Sequence, residues 1–135
     1  MTRTIEPPRI YPTFRYQDAL SVLDWFTDIL GFEVREKHIE DGRLGHAELA
    51  FGSSMIMMGE AAEDFFGGIV GQPGHEGGKA TYVAIDDIDA LFARVEASGV
   101  AIEQGLTERP YGSREFICRD PGGNVWCFGT YWPKA

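Results

Sequence analysis

The chain has 135 residues, 44% of them hydrophobic, with 21 acidic against 12 basic side chains and a formal net charge of −9. That length and apolar content support a packed core and exclude a disordered chain. The acidic balance, with no Lys/Arg run, excludes a nucleic-acid footprint, and no run of about 18 apolar residues is present to span a membrane.

The opening stretch MTRTIEPPRIYP lacks the apolar core of a signal peptide, and a cytoplasmic location is expected. RIYPTFRY then reads as a strand. Its alternation puts Tyr11, Thr13 and Arg15 on one face and Ile10, Phe14 and Tyr16 on the other. In DALSVLDWFTDILG, apolar residues at Ala19, Val22, Leu23, Phe26 and Leu30 follow a helical period, with Asp18 as cap and Gly31 as stop. FEVREKHI, GHAELAF and SMIMM follow as strands, separated by EDGRLG and GSS.

A patternless segment, GEAAEDFFGGIVGQPGHEGGK, comes next, and uninterrupted segments of that length often act as lids or linkers. KATYVAI reads as a strand and DDIDALFARVEASG as a second helix, begun by Asp86 or Asp87 and ended by Gly99. VAIEQGL, SREFICR and NVWCFGT complete the chain as strands, punctuated by ERPYG and DPGGN. The order β-α-β-β-β thus occurs twice. Asp18 and Asp87 open equivalent helices and Gly31 and Gly99 close them, which marks an internal repeat.

YQDALSVLDWFTDILGFEV, DDIDALFARVEASGV and RDPGGNVW, in this order and spacing, resemble motifs of the vicinal oxygen chelate superfamily. That superfamily includes glyoxalase I, extradiol dioxygenases, fosfomycin-resistance enzymes and bleomycin-resistance proteins. The resemblance implies an α+β fold of two tandem βαβββ modules forming a half-open cup, commonly in a homodimer. Module one is expected at about residues 9–59, a linker at 60–78 and module two at about 79–131, as a single domain spanning 1–135.

In metal-dependent members four cup-facing positions hold a divalent ion. By the resemblance these positions are Tyr11, Ala80, Cys127 and Met57, where His or Gln, His, Glu and Glu respectively are expected. Alanine offers no donor, tyrosine is protonated near neutral pH, and Met and Cys are soft, so no metal and no cofactor are expected. Cys127 reads as an unreactive wall thiol rather than a nucleophile, which would need a nearby base and a depressed pKa.

Strand alternation leaves Thr13, Arg15, His46 and Glu48 on the cup side with Tyr11, Tyr82, Met55 and Met57, and puts Ala47, Leu49 and Phe51 on the helix side. The ligand-binding set is therefore Tyr11, Thr13, Arg15, His46, Glu48, Met57, Tyr82 and Cys127. Arg15 either pairs an anionic ligand or forms a buried ion pair with Glu48. His38 and His75 read as solvated. Trp25, Phe92, Trp126 and Phe128 read as core, and Phe65 and Phe66 as linker aromatics that either close over the cup or anchor the linker.

The expected function is metal-free binding of a small molecule, with a homodimer as the assembly and neither nucleic acid nor membrane as partner. The alternative is a glyoxalase-like lyase, isomerase or dioxygenase-type enzyme with displaced ligands (His46, Glu48, His38) or metal-free acid–base groups. A two-residue turn about Gly122–Gly123 would set Cys118 opposite Cys127, as two free thiols on one face; a slipped register would move Cys118 to the helix side.

Overall fold

Asp18 accepts a hydrogen bond from the Ser21 amide, satisfying a free donor at the start of α1 (Ala19–Trp25). The Glu60 carboxylate accepts a second, from the Ala19 amide at 3.0 Å. The helix widens into π-helical turns over Phe26–Leu30 and stops at Gly31, whose φ of 84° is left-handed and disfavours a side chain. Asp87 and Gly99 (φ 85°) play the same parts around α3 (Ile88–Ala97). In this computed structural model, residues 6–74 and 78–133 are described.

The chain forms two compact units, Met1–Gln72 and Pro73–Ala135. In the first, β1 (Thr13–Tyr16), β2 (Glu33–Glu40), β3 (Arg43–Phe51) and β4 (Ser54–Glu60) make a sheet in the order β1-β4-β3-β2. β1 runs parallel to β4 and the other pairs are antiparallel. In the second, β5 (Ala80–Ala84), β6 (Ile102–Glu108), β7 (Arg114–Arg119) and β8 (Val125–Gly129) repeat this as β5-β8-β7-β6, again with one parallel pair. The repeat read from the sequence is thus a repeat of topology, and the fold is α+β with two tandem βαβββ modules.

Each sheet has one face covered by its helix. Tyr16, Ala47, Leu49, Ile56 and Met58 are buried under α1, with Tyr16 meeting Phe26 edge-on. In the second unit Phe116, Cys118, Trp126 and Phe128 form the equivalent layer, and Phe92 of α3 packs edge-on against Phe116. Trp25, Trp126 and Phe128 are buried, as their spacing predicted.

Three expectations need correction. Ile10 is no core residue: β1 begins at Thr13, and Ile10 is 84% exposed, because Pro12 lacks the N–H a longer strand would need. The linker contains a short helix, α2 (Phe65–Val70), capped by Asp64 through the Gly67 amide. Two glycines in its body hide it from a periodicity reading.

The third concerns the last hairpin. Its loop is Pro121–Gly122–Gly123, closed by the Asp120 amide on the Asn124 carbonyl at 2.9 Å and ended by Gly123 at φ 93°. This is a turn followed by a left-handed residue, not the two-residue turn expected; that turn would pair Pro121, which has no N–H to give. Cys118 therefore stands opposite Trp126, and Cys127 opposite Ile117. The thiols are free but lie on opposite faces, Cys118 buried on the helix side. Asp120 fixes the turn by accepting from the amides of Gly122 and Asn124 and from the Trp126 indole at 2.9 Å.

Candidate functional site

In the first unit the helix-free face carries Thr13, Met57, Glu48 and Glu36 in one row, each opposite the next across β1, β4, β3 and β2. The neighbouring row sets His38 opposite His46, their rings stacked at 6.3 Å. Tyr11 lies just ahead of β1, its carbonyl accepting from the Thr13 hydroxyl at 3.3 Å. His46 and Glu48, two apart on one strand, share a hydrogen bond between Nε2 and Oε2 at 3.0 Å. His38 is exposed and lies 3.4 Å from Glu36, while His75 falls outside the described residues.

Arg15 does not pair with Glu48. Its guanidinium makes two hydrogen bonds to Asp64, Nη1–Oδ1 at 2.9 Å and Nη2–Oδ2 at 2.8 Å, and lies 5.3 Å from the centre of the Phe66 ring. The reason is shape: the Asp64 carboxylate that caps α2 meets the planar fork with both oxygens, whereas Glu48 is engaged by His46. The Arg15 guanidinium holds the Asp64 carboxyl well below the usual range, and the Gly67 amide adds to the effect. Phe66 packs against Arg15, while Phe65 is exposed.

In the second unit Tyr82, Cys127, Ile117 and Gln104 form one row across β5, β8, β7 and β6. The next holds Ala84, Gly129 and Glu115. Glu115 is only 7% exposed. Its Oε1 accepts from Arg109 Nε at 3.2 Å and its Oε2 from the Tyr111 hydroxyl at 2.9 Å, while Arg109 also donates to Gln104. Gly129 makes the room: a Cβ there would lie 2.6 Å from both Glu115 Cγ and the Tyr82 oxygen. Tyr82 donates to the Tyr131 carbonyl at 2.7 Å, and Tyr131 meets Tyr111 edge-on.

Burial works to raise the Glu115 carboxyl, but hydrogen bonds from Ser113, Tyr111 and Arg109 outweigh it and hold it below the usual value. Burial, followed by the Glu115 charge, raises the Cys127 thiol, and burial pushes Cys118 up to about 12. A thiol raised in this way is protonated at neutral pH, which suits a wall residue and not a nucleophile.

The sequence reading missed Glu115, Arg109, Tyr111 and Gln104. A signal was present: with Phe116 and Cys118 facing the helix, alternation along REFICR sends Glu115 to the same face as Cys127. The wrong hairpin register hid it.

The positions that correspond to a metal set carry Tyr11 and Met57 in one unit and Ala80 and Cys127 in the other. Neither pair contains an imidazole or a carboxylate, and this donor set does not fit a hard or borderline divalent ion. Among the described residues no three His, Cys, Asp or Glu side chains come together in an arrangement that could hold a metal. Among them, too, no helix is long and apolar enough to cross a membrane.

This fold recurs in known proteins. The structure of TioX from Micromonospora sp. ML1 is similar at 27% identity and a TM-score of 0.76, over 93% of this chain and 99% of that one. A glyoxalase/bleomycin resistance protein/dioxygenase from Nocardioides superposes with a TM-score of 0.66 at 17% identity, over 98% of this chain and 89% of its own. Among curated sequences, an uncharacterized protein of Mycobacterium bovis is 26% identical over 125 residues, covering 90% of this chain and 82% of its own length. The sequence profile of one family matches residues 11–128, and with its motifs, paired modules and strand order the chain belongs to the Glyoxalase/Bleomycin resistance protein/Dioxygenase superfamily.

Proposed function

We propose that this protein binds a small organic molecule on a helix-free sheet face without the family's metal ion. The observation that carries this reading is the exchange of chemistry at the site. Where metal-dependent relatives need imidazole and carboxylate donors, this chain has Tyr11, Met57, Ala80 and Cys127. The polar groups it does present, Arg15, the His46–Glu48 pair and the Arg109–Glu115–Tyr111 network, are hydrogen-bonding groups beside Met and Tyr surface. A few polar groups set in apolar and aromatic walls is the usual make-up of a small-molecule site.

The test is a thermal-shift panel of antibiotics and small oxo-acids, run with and without chelator. A ligand that raises the melting temperature equally in both supports the reading. Stabilisation that vanishes with chelator, or stoichiometric Zn, Ni, Mn or Fe by elemental analysis, overturns it.

One observation favours a second reading, metal-free acid–base catalysis. With Nε2 held by Glu48, His46 keeps Nδ1 for proton exchange, the arrangement of a base oriented by a carboxylate. Turnover lost in His46→Gln but retained in the presence of chelator would favour catalysis over binding alone. A homodimer belongs to the proposal by family resemblance, and light scattering that gives a 15.0 kDa particle at high micromolar concentration would remove it.

A further inference from the structure

Two side chains from one short segment converge on Arg15. Asp64 meets the guanidinium edge with both carboxylate oxygens, at 2.8 and 2.9 Å, and Phe66 lies against the same group at 5.3 Å. The segment thus offers Arg15 a carboxylate and an aromatic ring together, the two groups an aryl-substituted carboxylic acid would offer. We infer that Arg15 is the recognition point for an aromatic carboxylate, and that Asp64 and Phe66 of α2 occupy its place until such a ligand displaces them. This rests on reading the first unit's helix-free face as a ligand surface.

The segment is built to be displaced. α2 has six residues, far fewer than a helix needs to be stable alone. Phe65 is 87% exposed and Ile69 and Val70 also face solvent, so apolar burial holds α2 weakly. The Asp64 side chain is 48% exposed, in reach of water and of competing anions. Apart from the Arg15 contacts, a 3.4 Å hydrogen bond from Gln17 to Gln72 ties its far end.

The seat is nonetheless shaped. Gly67 is buried, and a Cβ there would run into the Ala62 carbonyl oxygen and come within 3.2 Å of Arg15 Nη1. A residue without a side chain is what lets Asp64 reach the guanidinium. The planar fork of Arg15 selects a planar two-oxygen partner, and its flat face accepts an aromatic ring.

The test titrates phenylacetate, with phenylacetamide as its neutral counterpart, against the wild type, Asp64→Asn, Gly67→Ala and the double variant Arg15→Met/Asp64→Asn. Asparagine keeps a cap acceptor for the Gly67 amide, so α2 can still form. Removing the internal competitor should tighten phenylacetate binding roughly five- to ten-fold in Asp64→Asn. Gly67→Ala should shift it in the same direction, and the double variant should not bind. Phenylacetamide should be indifferent to all three changes. In the wild type, saturating phenylacetate should speed chymotryptic cleavage after Phe65 and Phe66.

Equal phenylacetate affinity in wild type and Asp64→Asn, or cleavage unchanged at saturation, overturns the inference. If phenylacetate fails on Asp64→Asn while a ligand from the panel stabilises the wild type without metal, the inference falls and the proposed function stands. If the panel gives chelator-sensitive ligands only, the proposed function falls, and the phenylacetate titration still decides the role of Arg15.

Discussion

In the first unit one charged side chain of the helix-free face, Arg15, lies on the edge strand β1, and its partner Asp64 caps a short helix outside the sheet. In the second the charge is Glu115, on the inner strand β7, and its partners Arg109 and Tyr111 sit on the segment leading into that strand. The carboxylate of the first pair is half in water and that of the second is buried, while both arginines are only partly exposed. The same topology therefore carries a polar contact with an exposed carboxylate in one copy and a network around a buried carboxylate in the other. A duplicated fold leaves its open faces free to diverge, because helix-side packing specifies the sheet and the other side does not.

The comparison breaks most visibly under removal of a cation. Arg109→Met should leave the Glu115 carboxylate buried without its counter-charge, costing roughly 3 kcal/mol in denaturant unfolding. Arg15→Met should change the unfolding midpoint far less, since water reaches Asp64 directly. Equal losses in the two variants would show that the two contacts are alike.

Adding volume should come next. Gly129→Ala brings a Cβ against Glu115 and Tyr82 and should cost about 1–3 kcal/mol, typical of overpacking. Cα proton shifts or crystallography on that variant would show whether Glu115 swings away from Arg109 or Tyr82 leaves the Tyr131 carbonyl.

Salt and pH sharpen the contrast further. Glu115 and Asp64 both have carboxyl pKa values below the ordinary range. Each then contributes stability that is complete above the unfolded-state value of about 4 and is lost as pH falls through the lower folded value. At neutral pH, raising salt should loosen α2, read as faster cleavage at Phe65 and Phe66, and leave the second unit's unfolding unchanged. Salt sensitivity of equal size in both units would contradict the assignment of one pair to water and the other to the interior.

The smallest effect concerns the thiols. Native protein should react slowly at Cys127 and not at Cys118, with two thiols titrating after denaturation without reductant. Glu115→Gln removes the charge that helps to raise Cys127 and should speed its modification a few-fold. An unchanged rate would leave burial as the whole cause.

Much of this was legible in the chain. Asp18, Gly31, Asp87 and Gly99 mark two helices through backbone chemistry that is local, and the apolar periods around them mark which sides are buried. Arg15, His46 and Glu48 were assigned to the open face by alternation alone, and the register rows agree. The partners were not legible. Arg15 meets Asp64 across 49 positions, and no local rule separates Asp64 from Glu48 as the carboxylate it takes.

The sequence by itself determined the two modules, their order and their buried layers, because capping, turn chemistry and hydrophobic period act over a few residues. Tertiary structure alone decided the hairpin register that parts Cys118 from Cys127, the burial of Glu115 beneath Arg109, and the seating of α2 on Arg15. Each of those depends on the fit between surfaces distant in sequence: a proline without a donor, a glycine with room beside it, a carboxylate at the right angle to a guanidinium.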